Sequence, residues 1–168
     1  CLWGMGRFEE AVARLEKLDP LLGQLEGFPD FEKWARAKRS DVTGSAGYAT
    51  ALAGRPREAI DRYLQPALKS KLELGITTNS SEWRLENLAT TYGQLGAAYG
   101  LLKEFEPVIQ NADEGLRICE VLINRFPNNV RHRAFRAGFG SERGHALVRV
   151  GRTNEGLSAL GAARTEID

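Results

Sequence analysis

The sequence predicts an all-α chain of stacked antiparallel helix hairpins, and three observations predict it. A phrase returns four times, as Gly6-Arg-Phe-Glu-Glu-Ala11, Gly54-Arg-Pro-Arg-Glu-Ala59, Lys103-Glu-Phe-Glu-Pro-Val108 and Gly151-Arg-Thr-Asn-Glu-Gly156, at steps of 48, 49 and 48 residues. A second column, seven residues before each later phrase, holds Gly47, Gly96 and Gly144 at the same step. Two columns in one register mark stacked repeats rather than a single globular core. Between these columns apolar residues recur at three and four, and nowhere is there the alternation of a strand.

Each unit reads as two helices, A and B. Leu2-Trp3-Gly4-Met5 reads as the tail of a helix whose beginning is missing, and a helix B follows it. B helices are predicted to stop near Phe28-Pro29-Asp30, Thr77-Thr78-Asn79 and Phe126-Pro127-Asn128-Asn129, because proline restricts the residue before it. Helix A of the third unit runs from about Ser81 to Leu102, with Ser80 or Ser81 as cap and Glu82 complementing the helix dipole. Its apolar face is Trp83, Leu85, Leu88, Tyr92, Leu95, Tyr99 and Leu102. Pro56 and Pro107 fall at the start of their B helices, where a missing N–H does no harm. Pro20 and Pro66 fall inside theirs, and each is predicted to remove a backbone bond and kink the helix at a cost of about 3 kcal/mol.

The units are residues 1–29, 30–79, 80–129 and 130–168 of a single repeat domain. At the end, Leu157, Leu160 and Ile167 carry an apolar face to the last residues with no polar capping helix after them. Complete arrays need polar outer faces, so the chain reads as a segment of a longer protein, or as one whose ends pack on a second copy.

A net charge of +1 creates no global field to recruit nucleic acid, which is disfavoured as a partner. Cys1 and Cys119 share no short spacing, which argues against a disulfide framework and against a zinc site, and the chain reads as cytoplasmic. No apolar run approaches the roughly 18 residues of a membrane helix, and no charged-then-apolar leader is present.

The columns resemble the tetratricopeptide repeat over nearly the whole chain. That family places a small residue in helix A (Gly47, Gly96, Gly144) and a bulky one three later (Tyr99, Leu147). A turn glycine (Gly6, Gly54, Gly151) is followed by a helix B alanine column, here Ala11, Ala59, Val108 and Gly156, and four residues on come Leu15, Tyr63, Ala112 and Leu160. Thr50 departs at the bulky position and Lys103 at the turn glycine. The step of about 48 residues exceeds the family's usual 34, as in the extended bacterial versions found beside signalling kinases. The resemblance implies a right-handed superhelical solenoid whose A helices line a concave groove.

The groove columns it implies are Asp41, Thr90 and Gly138; Gly44, Gly93 and Ser141; Tyr48, Ala97 and His145; and Leu52, Leu101 and Arg149. Small residues there leave room for a partner helix or extended peptide, with Tyr48, His145 and Arg149 as polar anchors beside Gln94 and Ala97. The implied function is a protein- or peptide-binding scaffold. Alternatives are a regulatory arm of a bacterial signalling protein such as a serine/threonine kinase, and a self-association module forming a homo-oligomer.

A second surface is basic. Arg36 and Arg39 share one helical face, as do Arg133 and Arg136, and the two rows suit an acidic partner surface. Intramolecular partners such as Glu32 and Glu86 would equally account for them. Catalysis finds no support, and no cofactor is implied. His132 and His145 lack sequence neighbours spaced as metal ligands, and Gly138-Phe-Gly-Ser-Glu-Arg143 follows no strand as a phosphate loop would.

Overall fold

A computed structural model describes residues 6–166, so the expected helix tail at residues 2–5 and the apolar Ile167 lie outside the described residues. Every regular element among the described residues is helical. In order these are α1 (Phe8–Glu16), α2 (Leu18–Glu26), α3 (Glu32–Leu52), α4 (Pro56–Glu58), a π-helical segment (Ala59–Leu64), α5 (Gln65–Glu73), α6 (Glu82–Leu101), α7 (Phe105–Arg125), α8 (Val130–Arg149) and α9 (Thr153–Thr165). None is long and apolar enough to cross a membrane. The chain divides into two compact units, Cys1–Ile76 and Thr77–Asp168.

In the first unit α3 is central, packed by α1 and α2 and by the continuous run of α4, π segment and α5. Its core joins Ala11 and Val12 to Ala49, and Ile60, Leu64 and Thr50 are fully buried. Thr50 satisfies its hydroxyl inside the helix by donating to the Ala46 carbonyl at 2.8 Å, which is how a polar residue fills a position expected to be bulky. In the second unit α6 packs on α7, α7 on α8 and α8 on α9. Val108, Ile109, Ala146 and Leu147 form its core, closed by Tyr99, Phe105, Val150 and Ala159.

Both interior prolines disturb their helices, each in its own way. The ring of a helical proline opposes the carbonyl four residues earlier, which for Pro20 belongs to Glu16. There the helix divides: α1 ends at Glu16, Lys17 keeps right-handed backbone angles, and α2 begins at Leu18. Pro66 instead follows a widened turn, in which the Gln65 N–H donates to the Ile60 carbonyl five residues back. One i→i−5 turn absorbs the missing donor without ending the helix. Pro56 stands at the first position of α4 as expected.

The turns between A and B helices recur in detail. Gly6, Gly54 and Gly151 have φ of 68°, 86° and 86°, and Lys103, where the glycine is replaced, has φ of 60°. Arg55 N–H donates to Thr50, Glu104 N–H to Tyr99 and Arg152 N–H to Leu147, at 3.1, 3.0 and 2.9 Å, so one left-handed residue closes each helix and satisfies its last carbonyls. The second B helix stops earlier than expected. Gly75, with φ of 69°, terminates it before Thr77. Ser81 has extended N-cap angles but its side chain makes no capping bond; Ser80 Oγ accepts from Thr77 N–H instead.

Gly47, Gly96 and Gly144 are all buried, but they are not equally crowded. A Cβ on Gly47 would lie 2.8 Å from Tyr63 Cβ and Leu64 Cγ, and one on Gly144 2.7 Å from Leu160 Cγ. At Gly96 the nearest atom is Glu142 Oε2 at 3.4 Å, so this position tolerates a methyl group better. Leu160 therefore packs against α8 rather than facing outward, whereas Leu157 is exposed.

Candidate functional site

The residues expected to line a groove fall on α3, α6 and α8. Within the first unit Tyr48 is half-buried, Gly44 is buried and Leu52 is exposed. Asp41 is taken up internally: its Oδ1 lies 2.5 Å from Nζ of Lys71, a residue 4% exposed. Within the second unit Gln94 and Ala97 are half-buried on α6, and Leu101 is exposed at its end. On α8, Gly138, Glu142, His145 and Arg149 form an exposed stripe at helical spacing, flanked by Val148. His145 and Arg149 are held by no hydrogen bond or ion pair among the described residues.

The basic rows are largely occupied by carboxylates of their own unit. Arg39 forks onto Asp19, with Nε 2.6 Å from Oδ1 and Nη2 2.9 Å from Oδ2, and reaches Glu26 at 3.4 Å. The hydrogen bonds it donates to Asp19 are the main reason its guanidinium holds its proton above the usual arginine range. Arg36 lies 3.8 Å from Glu73 and 3.9 Å from Glu32. Around them runs a shallow depression of the first unit, lined by Asp19, Glu26, Ser40 and Pro66 among others. In the second unit Arg136 pairs with Glu166, and Arg133 donates to the Pro127 carbonyl at 3.4 Å. Three of the four arginines thus face an acidic side chain already.

A cluster that sequence spacing did not reveal lies where the first turns of α6 and α8 meet. His132 is fully buried, with Nε2 3.0 Å from Glu86 Oε1 and 3.2 Å from Glu82 Oε1. Asn129 caps α8 by accepting from Arg131 N–H at 3.1 Å, which turns its amide nitrogen toward the cluster. That nitrogen donates to Glu82 Oε1 at 2.7 Å and sits 3.2 Å from His132 Nε2. The Phe126 ring stands edge-on to the imidazole at 6.1 Å between centroids, and His132 Nδ1 has no hydrogen-bond partner among the described residues. Each of Glu82, Glu86 and His132 offers one ligand atom within 4.8 Å of the others.

Here the sequence reading is corrected. It dismissed His132 for want of acidic neighbours in the chain, yet Glu82 and Glu86 stand at i,i+4 on one helix face, 50 and 46 residues upstream, and the contact of α8 with α6 supplies them. Cys119 offers no alternative chemistry, since burial pushes its thiol up to about 12 and leaves it protonated at neutral pH. Comparison of the chain with protein-family models, with curated proteins and with solved structures returns no match.

Proposed function

We propose that this chain is a helical-repeat interaction module of tetratricopeptide type, whose A helices present a surface to a protein or peptide partner. The observation that carries the reading is the exposed stripe of Gly138, Glu142, His145 and Arg149 on α8, with the apolar Val148 beside it and Leu101 in the corresponding column of α6. An exposed leucine beside polar side chains is what a recognition surface offers, while Val148 turns its Cγ2 toward Gly156 of α9. The recurring left-handed turns and buried small-residue columns support the repeat reading, since stacking demands them in each unit.

The test is capture of partners from the source lysate by the wild-type chain, by His145→Ala/Arg149→Glu, and by Arg164→Glu on α9 as a surface control. Loss of a partner from the first variant alone supports recognition by the A helices. Equal capture by all three sinks it.

Self-association is a second reading, carried by Leu157, which is 60% exposed on α9. It predicts twice the monomer mass in light scattering, lost on Leu157→Glu. Leu160 is unsuited to that test because it packs against Gly144.

A further inference from the structure

We propose that Glu82, Glu86 and His132 form a binding site for a divalent transition-metal ion of zinc type, which ties the first turn of α6 to the first turn of α8. The inference is independent of whether the A helices recognise a partner.

The ligand types come first. An imidazole and two carboxylates are borderline-to-hard donors that suit zinc, and zinc binds such nitrogen and oxygen atoms at roughly 2.0–2.2 Å. Two ligands at that radius on a tetrahedral centre stand about 3.3 Å apart. The observed Nε2 to Oε1 separations are 3.0 and 3.2 Å. The imidazole nitrogen thus stands near ligand spacing from each carboxylate oxygen, and all three atoms lie within 4.8 Å of one another, which leaves a fourth position for water.

The charge balance points the same way. A single Nε2–H can satisfy one carboxylate oxygen, yet two crowd the same nitrogen, and the Asn129 amide reaches only that of Glu82. Two carboxylates drawn to one imidazole nitrogen concentrate negative charge beside a fully buried ring. A divalent cation would take the Nε2 lone pair and one oxygen of each carboxylate, neutralising both charges, with the ring proton carried on Nδ1. Asn129 then holds Glu82 in place from outside the ligand set, its own orientation fixed by capping α8.

The experiment is titration of the chelator-treated chain with zinc chloride by calorimetry, and with cobalt(II), whose visible absorption reports coordination. The expected result is one equivalent bound, a low-symmetry cobalt spectrum without thiolate charge transfer, and an unfolding midpoint raised by roughly 5–10 °C at a hundredfold excess over Kd. His132→Gln should weaken binding by roughly a hundredfold or more. Because that residue is buried, Glu82→Gln/Glu86→Gln is the companion variant, its helical circular dichroism checked without metal, and it should lose binding likewise. Absence of zinc and cobalt binding by the wild type overturns the proposal and leaves a hydrogen-bonded latch. Binding retained by the double glutamine variant, or a thiolate band, overturns it by moving the ion elsewhere.

Discussion

Gly144 and Gly156 face each other across the crossing of α8 and α9, each so near that a Cβ on one would lie within 2.9 Å of the other's carbonyl oxygen. Backbone cannot yield as a flexible side chain can, so Gly144→Ala should destabilise the chain by about 1–3 kcal/mol. Gly138 lies in the same helix with nothing within 4 Å of its Cβ position. Gly138→Ala should instead stabilise by up to about 1 kcal/mol through helix propensity. Urea unfolding of both variants checks the contrast.

Lys103 adopts the left-handed φ that glycine supplies at the three equivalent turns. A side chain there costs about 1–2 kcal/mol, partly offset by the larger entropy that glycine loses on folding. Lys103→Gly should raise stability by up to about 1 kcal/mol, and Gly151→Ala should lower it by about as much. Equal and unchanged midpoints for the two would contradict the strain.

The Lys71 ammonium is buried against Asp41. Asp41→Asn should cost about 3 kcal/mol, because it removes the carboxylate that faces a buried charge, while Asp41→Leu/Lys71→Met should cost much less. A double-mutant cycle by thermal unfolding reads the coupling directly.

Tyr63 donates its hydroxyl hydrogen to Glu16 at 2.6 Å, and burial first, then that bond, push its pKa up to about 12 from the ordinary 10. A folded value above the unfolded one means the contribution is present below pH 10 and lost as pH climbs through 12. Wild type should therefore lose stability more steeply than Tyr63→Phe across that window, as measured by denaturant midpoints at each pH.

The Cys119 thiol, fully buried and held protonated, should react with a disulfide reagent at pH 8 only as fast as the second unit opens. With Cys1→Ser removing the other thiol, native-state labelling should be far slower than in denaturant. Comparable rates would show the thiol to be accessible.

Much of the fold was legible because its signals are local. The turn glycines, the prolines at helix starts and the apolar spacing each act within one or two turns of chain, and the left-handed turns fall at the recurring phrase, Lys103 included. Pro20 and Pro66 show the limit of such reading. Their positions announce a lost hydrogen bond, but whether the helix divides, as before Pro20, or widens, as before Pro66, depends on what packs around it. The arginine rows were visible as charge, yet their partners Asp19, Glu73 and Glu166 lie 20, 37 and 30 residues away and are chosen by helix packing.

From the order of residues alone come the helices, their period and the positions that must stay small, since backbone geometry and apolar periodicity act along the chain. Tertiary structure alone brought His132 to Glu82 and Glu86 and set Phe139 so close over Gly115 that a Cβ there would overlap its ring. Contacts of this kind depend on which faces of two helices meet, a choice made by packing in three dimensions and written in no single stretch of sequence.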